Sequence, residues 1–198
     1  MGIERNRNIF NRIAKYYDNN ILHSWFDKVQ KKAIEISIIN KKNARVLDVG
    51  CGTGNLLLLL SKNKNLKLFG IDISPNMLLI AREKLRKNKI KAELNLLAVE
   101  DLKEKNKYDY IFSTEAFHHF SNQEKALKNM KNALKKSGKL IIVDLNFGIL
   151  NFFFHLIEPG NSKMNNAYEL RKLFEENNFK NIKQEKIGWF FLLTNGEK

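Results

Sequence analysis

Residues 45 to 54 read Arg-Val-Leu-Asp-Val-Gly-Cys-Gly-Thr-Gly, an apolar run that ends in three alternating glycines before an apolar stretch opens at Asn55. Such a junction is a buried strand turning into a helix, whose first amide groups are free to meet an anionic group of a ligand. A tight turn alone does not need Gly50, Gly52 and Gly54. Close approach of backbone to a ligand does, because a Cβ would hold the two apart. The dinucleotide fingerprint G-x-G-x-x-G would place its last glycine at position 55, which is Asn55, so the spacing is G-x-G-x-G and does not predict a nicotinamide dinucleotide. Asp72 closes the next apolar run, Phe69-Gly70-Ile71-Asp72. In an open parallel sheet both strand ends face one crevice, so Asp72 can accept bonds from both hydroxyls of a ribose beside the glycine turn.

His118 and His119 follow a further apolar run and stand where a base could take a proton from a substrate hydroxyl. The alternative for them is structural, an imidazole packed at the start of the following helix. Cys51 lies inside the glycine turn, where a small residue suffices and no neighbouring base would activate a thiol. His23 and His155 are isolated, and four histidines with one cysteine lack zinc spacing, so no metal is expected.

These residues need a scaffold that brings strand ends together. After position 42 the apolar runs Arg45 to Val49, Lys67 to Asp72, Ala92 to Ala98, Tyr108 to Ser113 and Lys139 to Leu145 alternate with helical stretches. Ser74-Pro75 supplies an N-cap and a first-turn proline for a helix carrying Met77, Ala81 and Leu85, and Ser121 with Glu124 reads as a capping box ahead of Leu127 and Met130. Strands alternating with helices imply a parallel sheet covered on both faces. Ahead of them, Phe10, Ile13, Ala14 and Tyr17 form one apolar stripe, and Leu22, Trp25, Phe26, Val29, Ala33 and Ile36 form another on a helix from about Ile21 to Ile38. Tyr168 to Asn178 reads as a last helix, followed by strands Asn181 to Ile187 and Trp189 to Thr194 with only Gly188 between them. A connection that short joins antiparallel strands, so the sheet should end in a hairpin.

The predicted fold is therefore α/β, a Rossmann-like, doubly wound, mostly parallel sheet ending in an antiparallel hairpin. With 198 residues the chain is expected to form a single domain: residues 1–42 a helical cap, 43–145 a ligand-binding core, 146–166 an insertion on the acceptor side, and 167–198 the last helix and hairpin. Lys and Arg total 35 against 21 Asp and Glu, a net charge of +14, but no block of five or six like charges occurs, so nucleic acid is not the expected partner. A single cysteine excludes an intrachain disulfide and fits a reducing compartment. No apolar stretch approaches the ~18 residues of a membrane span, and no hydrophobic segment follows the charged opening residues, so a cytoplasmic protein is expected. Oligomeric state leaves no mark on the sequence.

Taken together, Val46 to Gly54, Gly70 to Pro75, Tyr108-Asp109-Tyr110-Ile111-Phe112-Ser113 leading to His118-His119, and Ser137-Gly138-Lys139-Leu140 resemble the class I S-adenosylmethionine-dependent methyltransferases, in the branch that includes the ubiquinone and menaquinone biosynthesis enzymes. Asn8-Ile9-Phe10-Asn11-Arg12-Ile13-Ala14 with Tyr17-Asp18 is similar to that family's opening helix. The resemblance implies seven strands, N-terminal helices over the cofactor, and S-adenosylmethionine as the cofactor with S-adenosylhomocysteine as its product. It implies that Gly50 and Gly52 approach the methionyl part, that Asp48 lies near its ammonium group directly or through water, and that Asp72 binds the ribose. Ile73 and Met77 would flank the adenine, Ser113 would sit beside the methionyl moiety, and Tyr17 would close over the cofactor. The family usually has an acidic residue for the adenine amino group where this chain has Ala98. The Val99 amide would remain to bond an adenine nitrogen, with Glu100 or Asp101 as substitute carboxylates.

The implied activity is methyl transfer to a small apolar or aromatic acceptor. Aligning donor and acceptor can supply roughly 7 to 11 kcal/mol of such a barrier, so no dedicated base is required. An RNA or protein methyltransferase and a non-catalytic S-adenosylmethionine-binding module are the alternatives. Phe147 to Ile157 has apolar residues that do not alternate, and three readings stand for it: a lid over an acceptor, a patch for peripheral membrane or partner contact, and ordinary core.

Overall fold

The computed structural model describes residues 2–18, 23–146 and 163–198. The segment Phe147 to Ile157 and most of the 146–166 stretch lie outside the described residues. Seven strands form one sheet: β1 (Arg45–Val49), β2 (Lys67–Asp72), β3 (Ala92–Leu96), β4 (Tyr108–Thr114), β5 (Leu134–Leu145), β6 (Lys180–Ile187) and β7 (Phe191–Glu197). Their order is β3-β2-β1-β4-β5-β7-β6. The first five run parallel, and β7 pairs antiparallel with both β5 and β6.

Parity along the strands decides which side each residue serves. Leu47, Phe69, Ile111 and Leu140 pack on one face against helices α5 (Gln123–Ala133) and α6 (Ala167–Glu176), through Leu127, Met130, Leu170 and Phe174. Val46, Leu68, Phe112 and Ile141 pack on the other face against α2 (His23–Ser37), α3 (Asn55–Leu60) and α4 (Pro75–Lys87). Double coverage explains why β1 and β4 read as continuous apolar runs. Strand order reverses between β1 and β4, and in such sheets that is where a crevice opens beyond the carboxyl ends.

Helix α1 (Gly2–Tyr17) lies across that crevice, held at three places by polar side chains. Arg7 Nε donates to the Ile73 carbonyl (3.1 Å), and Asn6 Nδ2 donates to the His119 carbonyl (2.7 Å). At its far end Asp18 accepts from Thr53 Oγ1 (2.7 Å) and pairs with Lys84 Nζ (2.8 Å).

Several boundaries differ from the sequence reading. The α5 cap is Asn122, whose Oδ1 accepts from the Lys125 amide (2.9 Å), so Ser121 and Glu124 form no capping box. A capping box does occur at α6, between Asn166 and Glu169. Strand β3 stops at Leu96; the Leu97 amide still donates to the Asp72 carbonyl (3.0 Å), and the chain then enters a 3₁₀ turn at Val99–Asp101. Trp189 and Phe190 belong to the β6–β7 connection rather than to β7, which continues to Glu197.

At the edge of the sheet opposite the crevice, Asp109 is nearly buried, its side chain 4% exposed, and accepts from the Arg45 amide (2.8 Å), Lys41 Nζ (2.5 Å) and Lys135 Nζ (2.9 Å). Burial pushes its pKa up, but these three donors outweigh burial and hold it below the ordinary carboxylate value. A carboxyl with a lowered folded pKa stabilises above its unfolded pKa and loses that contribution as pH falls through the folded value. Asp109→Ala is therefore expected to cost about 1.5 to 3 kcal/mol in urea unfolding near neutral pH. The native and variant curves should draw together in acid below the usual carboxylate range.

Candidate active site

The glycine turn fixes the geometry of the crevice. Gly50 and Gly52 both adopt positive φ (+74° and +48°), where a side chain is strained. A Cβ on Gly50 would come within 2.6 Å of the Ala116 Cβ, whereas a Cβ on Gly52 would meet nothing within 4 Å. The first glycine lets the turn pack against the end of β4, and the second leaves bare backbone facing open space. Asp72, 8% exposed, accepts from the Gly52 amide through Oδ2 (2.8 Å) and from the Ser74 amide through Oδ1 (2.8 Å). Burial raises its pKa, opposed by the amides of Ser74, Gly52 and Ile73. A carboxylate offers about four acceptor positions. These protein donors still leave it capacity to accept from a ligand's hydroxyl.

Above the turn lies a cleft with about 700 Å³ of space between the atoms, part of it open to solvent. Asp72, Ile73, Met77, Leu97, Val99 and Glu100 line one end of it, Gly50, Gly52, Thr114 and Glu115 the middle, and Phe10 and Tyr17 of α1 the roof. A connecting recess of about 390 Å³ takes in Asp48, Glu115, Gln30 and Tyr17. Most of the residues singled out from the sequence therefore meet in one place: Tyr17, Gly50, Gly52, Asp72, Ile73, Met77 and Val99 on the cleft, and Asp48 on the recess.

Ala98 and Ser113 are buried and line neither cavity. The early end of β3 hands the wall to Leu97, Val99 and Glu100, and the pleat of β4 turns Ser113 inward while Thr114 and Glu115 reach the cleft. Of the two substitute carboxylates, Glu100 is 7% exposed and accepts from the Asn122 amide (3.3 Å), while the Asp101 side chain is 63% exposed. Glu100 is the one brought to the cleft.

The two histidines have different surroundings. His118 is 2% exposed and lies off the cleft, its Nδ1 bonded to Asp144 Oδ1 and its amide donating to Asp144 Oδ2 (2.8 Å). His119 lines the cleft, stacked on His118 with ring centres 3.9 Å apart and edge-on to Phe10 at 4.9 Å. Burial, and secondarily His118, push the His119 pKa down to about 2, so its ring is neutral and has little affinity for a proton. Cys51 is buried, and burial followed by Asp72 and Asp48 drives its thiol well above the usual range, consistent with a packing role. Among the described residues no group of His, Cys, Asp or Glu has the arrangement of a metal site.

Sequence reading missed Glu115. It stands at the end of β4 in the left-handed region (φ 54°), and Gln30 Nε2 donates to its Oε2 (3.1 Å) from a helix 85 positions away. A lone acidic residue directly after a strand buried throughout was the available signal.

The description "Methyltransferase domain" belongs to the family whose pattern matches residues 40–193. The chain is 28% identical over 210 residues to a malonyl-[acyl-carrier protein] O-methyltransferase from Acetivibrio thermocellus, covering 93% of this chain and 71% of that one. It is 32% identical over 141 residues to a demethylmenaquinone methyltransferase from Thermotoga maritima, covering 69% and 60%. The fold is similar, with a TM-score of 0.83 at 18% identity, to phosphoethanolamine N-methyltransferase 2 from Haemonchus contortus in complex with phosphomonomethylethanolamine and S-adenosylhomocysteine, over 97% of this chain and 59% of that one. A bare-backbone turn beside a ribose-competent carboxylate, on this sheet order and with this sequence match, makes the chain a member of the class I S-adenosylmethionine-dependent methyltransferases, in the branch that includes the ubiquinone and menaquinone biosynthesis enzymes.

Proposed function

We propose that this methyltransferase acts on a small acceptor, apolar or aromatic in character, held in the cleft under α1. The observation that carries the reading is continuity: one cleft runs from the carboxylate of Asp72 past the glycine turn to an apolar wall made by Ile3, Phe10 and Phe120. A roof tied down at His119, Ile73 and Thr53 favours a compact acceptor over a folded polymer. The relative named for demethylmenaquinone points the same way, while the one named for a malonyl group on an acyl-carrier protein supports a small reacting group without the apolar or aromatic character. Among the described residues no helix is long and apolar enough to cross a membrane.

When bound, S-adenosylmethionine supplies an electrophilic methyl group on a sulfonium sulfur. Asp72 would hold the ribose hydroxyls, while Ile73, Met77, Leu97 and Val99 form an apolar slot for the adenine with Glu100 at its rim. Gly50 and Gly52 let the backbone approach the methionyl part, and Asp48 lies at the recess where its amino group would go. Phe10 and Phe120 exclude water from the acceptor side, which protects the in-line geometry on which most of the rate enhancement rests.

Asp72→Ala is expected to weaken S-adenosylhomocysteine binding tenfold or more by calorimetry, from lost bonds worth on the order of 1.5 to 3 kcal/mol each. Because the Gly52 and Ser74 amides lose their acceptor too, stability should fall with affinity. Unchanged affinity in a folded variant would place the ribose elsewhere.

Acceptor class is tested by incubating the protein with methyl-labelled S-adenosylmethionine and, separately, a panel of phenols and quinols, total RNA and a protein extract. Label is expected in solvent-extractable small molecules. Label confined to RNA or protein would overturn the small-acceptor reading.

A further inference from the structure

Among the described residues, the acceptor end of the cleft offers a negative group no counter-charge. Its wall is Ile3, Phe10, Phe120 and the ring of His119, with Ser121 at the rim. Burial keeps His119 neutral, and the side-chain amide of Asn6 is engaged by the His119 carbonyl (2.7 Å). Backbone donors beside it are committed as well. In the glycine turn the amides of Gly50 and Cys51 go to the Ile71 carbonyl (2.9 and 3.0 Å), that of Gly52 to Asp72, and that of Gly54 to the Cys51 carbonyl (2.8 Å). In the turn after β4 the amides of His118, His119 and Phe120 go to Asp144, the Ala116 carbonyl and the Phe117 carbonyl. The hydroxyls on the lining, of Tyr17, Thr114 and Ser121, are neutral and bond an anion more weakly than a cation does.

The cations of the chain are turned elsewhere. No described Lys or Arg lines the cleft, and residues 1, 19–22 and 147–162 contain neither type. Arg7 of α1 donates to the Ile73 carbonyl and pairs with Glu4 (3.0 Å), and Lys84 is bound to Asp18, Thr53 and Asn55. Lys163 lines a separate surface recess that shares Phe120 and Ser121 with the cleft, but it is exposed, where solvent and salt screen its attraction. What the cleft does gather is acid: Asp72, Glu100 and Glu115. A negative group brought there loses its water and meets like charge, or at best the neutral acid of Glu115, which burial raises to about 8.

We propose that this cleft selects its acceptor by charge, taking molecules that carry no carboxylate or phosphate away from the atom that is methylated. The proposal rests on the small-acceptor reading and narrows it. At the methylated atom itself a negative charge is tolerated, because there the positive sulfonium of the donor answers it. Phosphomonomethylethanolamine, held by the Haemonchus contortus neighbour, belongs to the class this cleft refuses.

The test compares two probes of one shape, 2-naphthamide and 2-naphthoate, titrated at pH 7.0 into the full chain saturated with S-adenosylhomocysteine. Binding is read from the NMR ring signals of Phe10 and Phe120, so that attachment to surface lysines does not count. 2-Naphthamide is expected to bind at least tenfold tighter than 2-naphthoate. Ser121→Arg, at an exposed position on the rim, supplies the missing cation. It should tighten 2-naphthoate about tenfold and leave 2-naphthamide within about threefold. Ser121→Gln, which adds length without charge, should change neither by more than about threefold, and S-adenosylhomocysteine affinity checks the fold of both variants. Equal or tighter binding of 2-naphthoate by the native protein, or a response to Ser121→Arg that is absent or shared by both probes, would overturn selection by charge and leave the small-acceptor reading standing. Failure of S-adenosylhomocysteine to bind, or of both probes to move either ring, would overturn that reading and the proposal with it.

Discussion

The carboxylate of Asp72 is the joint on which the site depends. It ends β2, and its two oxygens take the amide of Gly52 from the glycine turn and the amide of Ser74 from the start of α4. Each bond satisfies a backbone donor in a nearly dry setting, where an unmet one would cost about 1 to 3 kcal/mol. The glycine turn and the β2–α4 junction are thereby fixed in register by one side chain. Ser74 then caps α4 by accepting from the Met77 amide (3.1 Å), which places Met77 on the cleft wall. Asn11 of α1 accepts from Ser74 Oγ (2.6 Å), so the roof is seated on the same joint. The residue expected to read the ribose is therefore also the one that builds its pocket, and the two roles cannot be separated by a truncation.

Much of this was legible in the sequence because the local physics and the tertiary demand coincide. Strands covered on both faces must be apolar throughout, so β1, β2, β4 and most of β5 could be marked from composition. Gly50 and Gly52 were legible because the turn needs backbone that can fold tightly and be approached closely. Ser74-Pro75 marked a helix start because the cap and the proline act within one turn.

What was not legible depended on partners distant in the chain. Ser121 and Asn122 are both good caps; Asn122 prevails where its own amide is held by Glu100 from another element. The pattern at the end of β3 marks Ala98 as the cofactor-facing position, but the strand ends at Leu96 and the 3₁₀ turn that follows brings Val99 and Glu100 to the cleft while Ala98 is buried. Glu115 drew no attention because its character comes from Gln30 on α2, from Asp48 on β1 and from burial under both. Sequence spacing carries no trace of such meetings.

The distribution of charge ties these points together. A chain with net charge +14 keeps Asp48, Asp72, Glu100 and Glu115 around one cleft and its recess, and among the described residues no Lys or Arg lines either. Burying several ionised carboxylates without partners would cost several kcal/mol apiece. The structure avoids this for Asp72 by giving it backbone donors, and for Asp48 and Glu115 by burial that raises both carboxyls to about 8. His119 meets the same constraint from the other side, pushed down to about 2 so that no buried imidazolium sits near the cleft. Among the described residues lining the cleft and its recess, proton affinity near neutral pH resides in carboxyls and not in the cleft-lining imidazole.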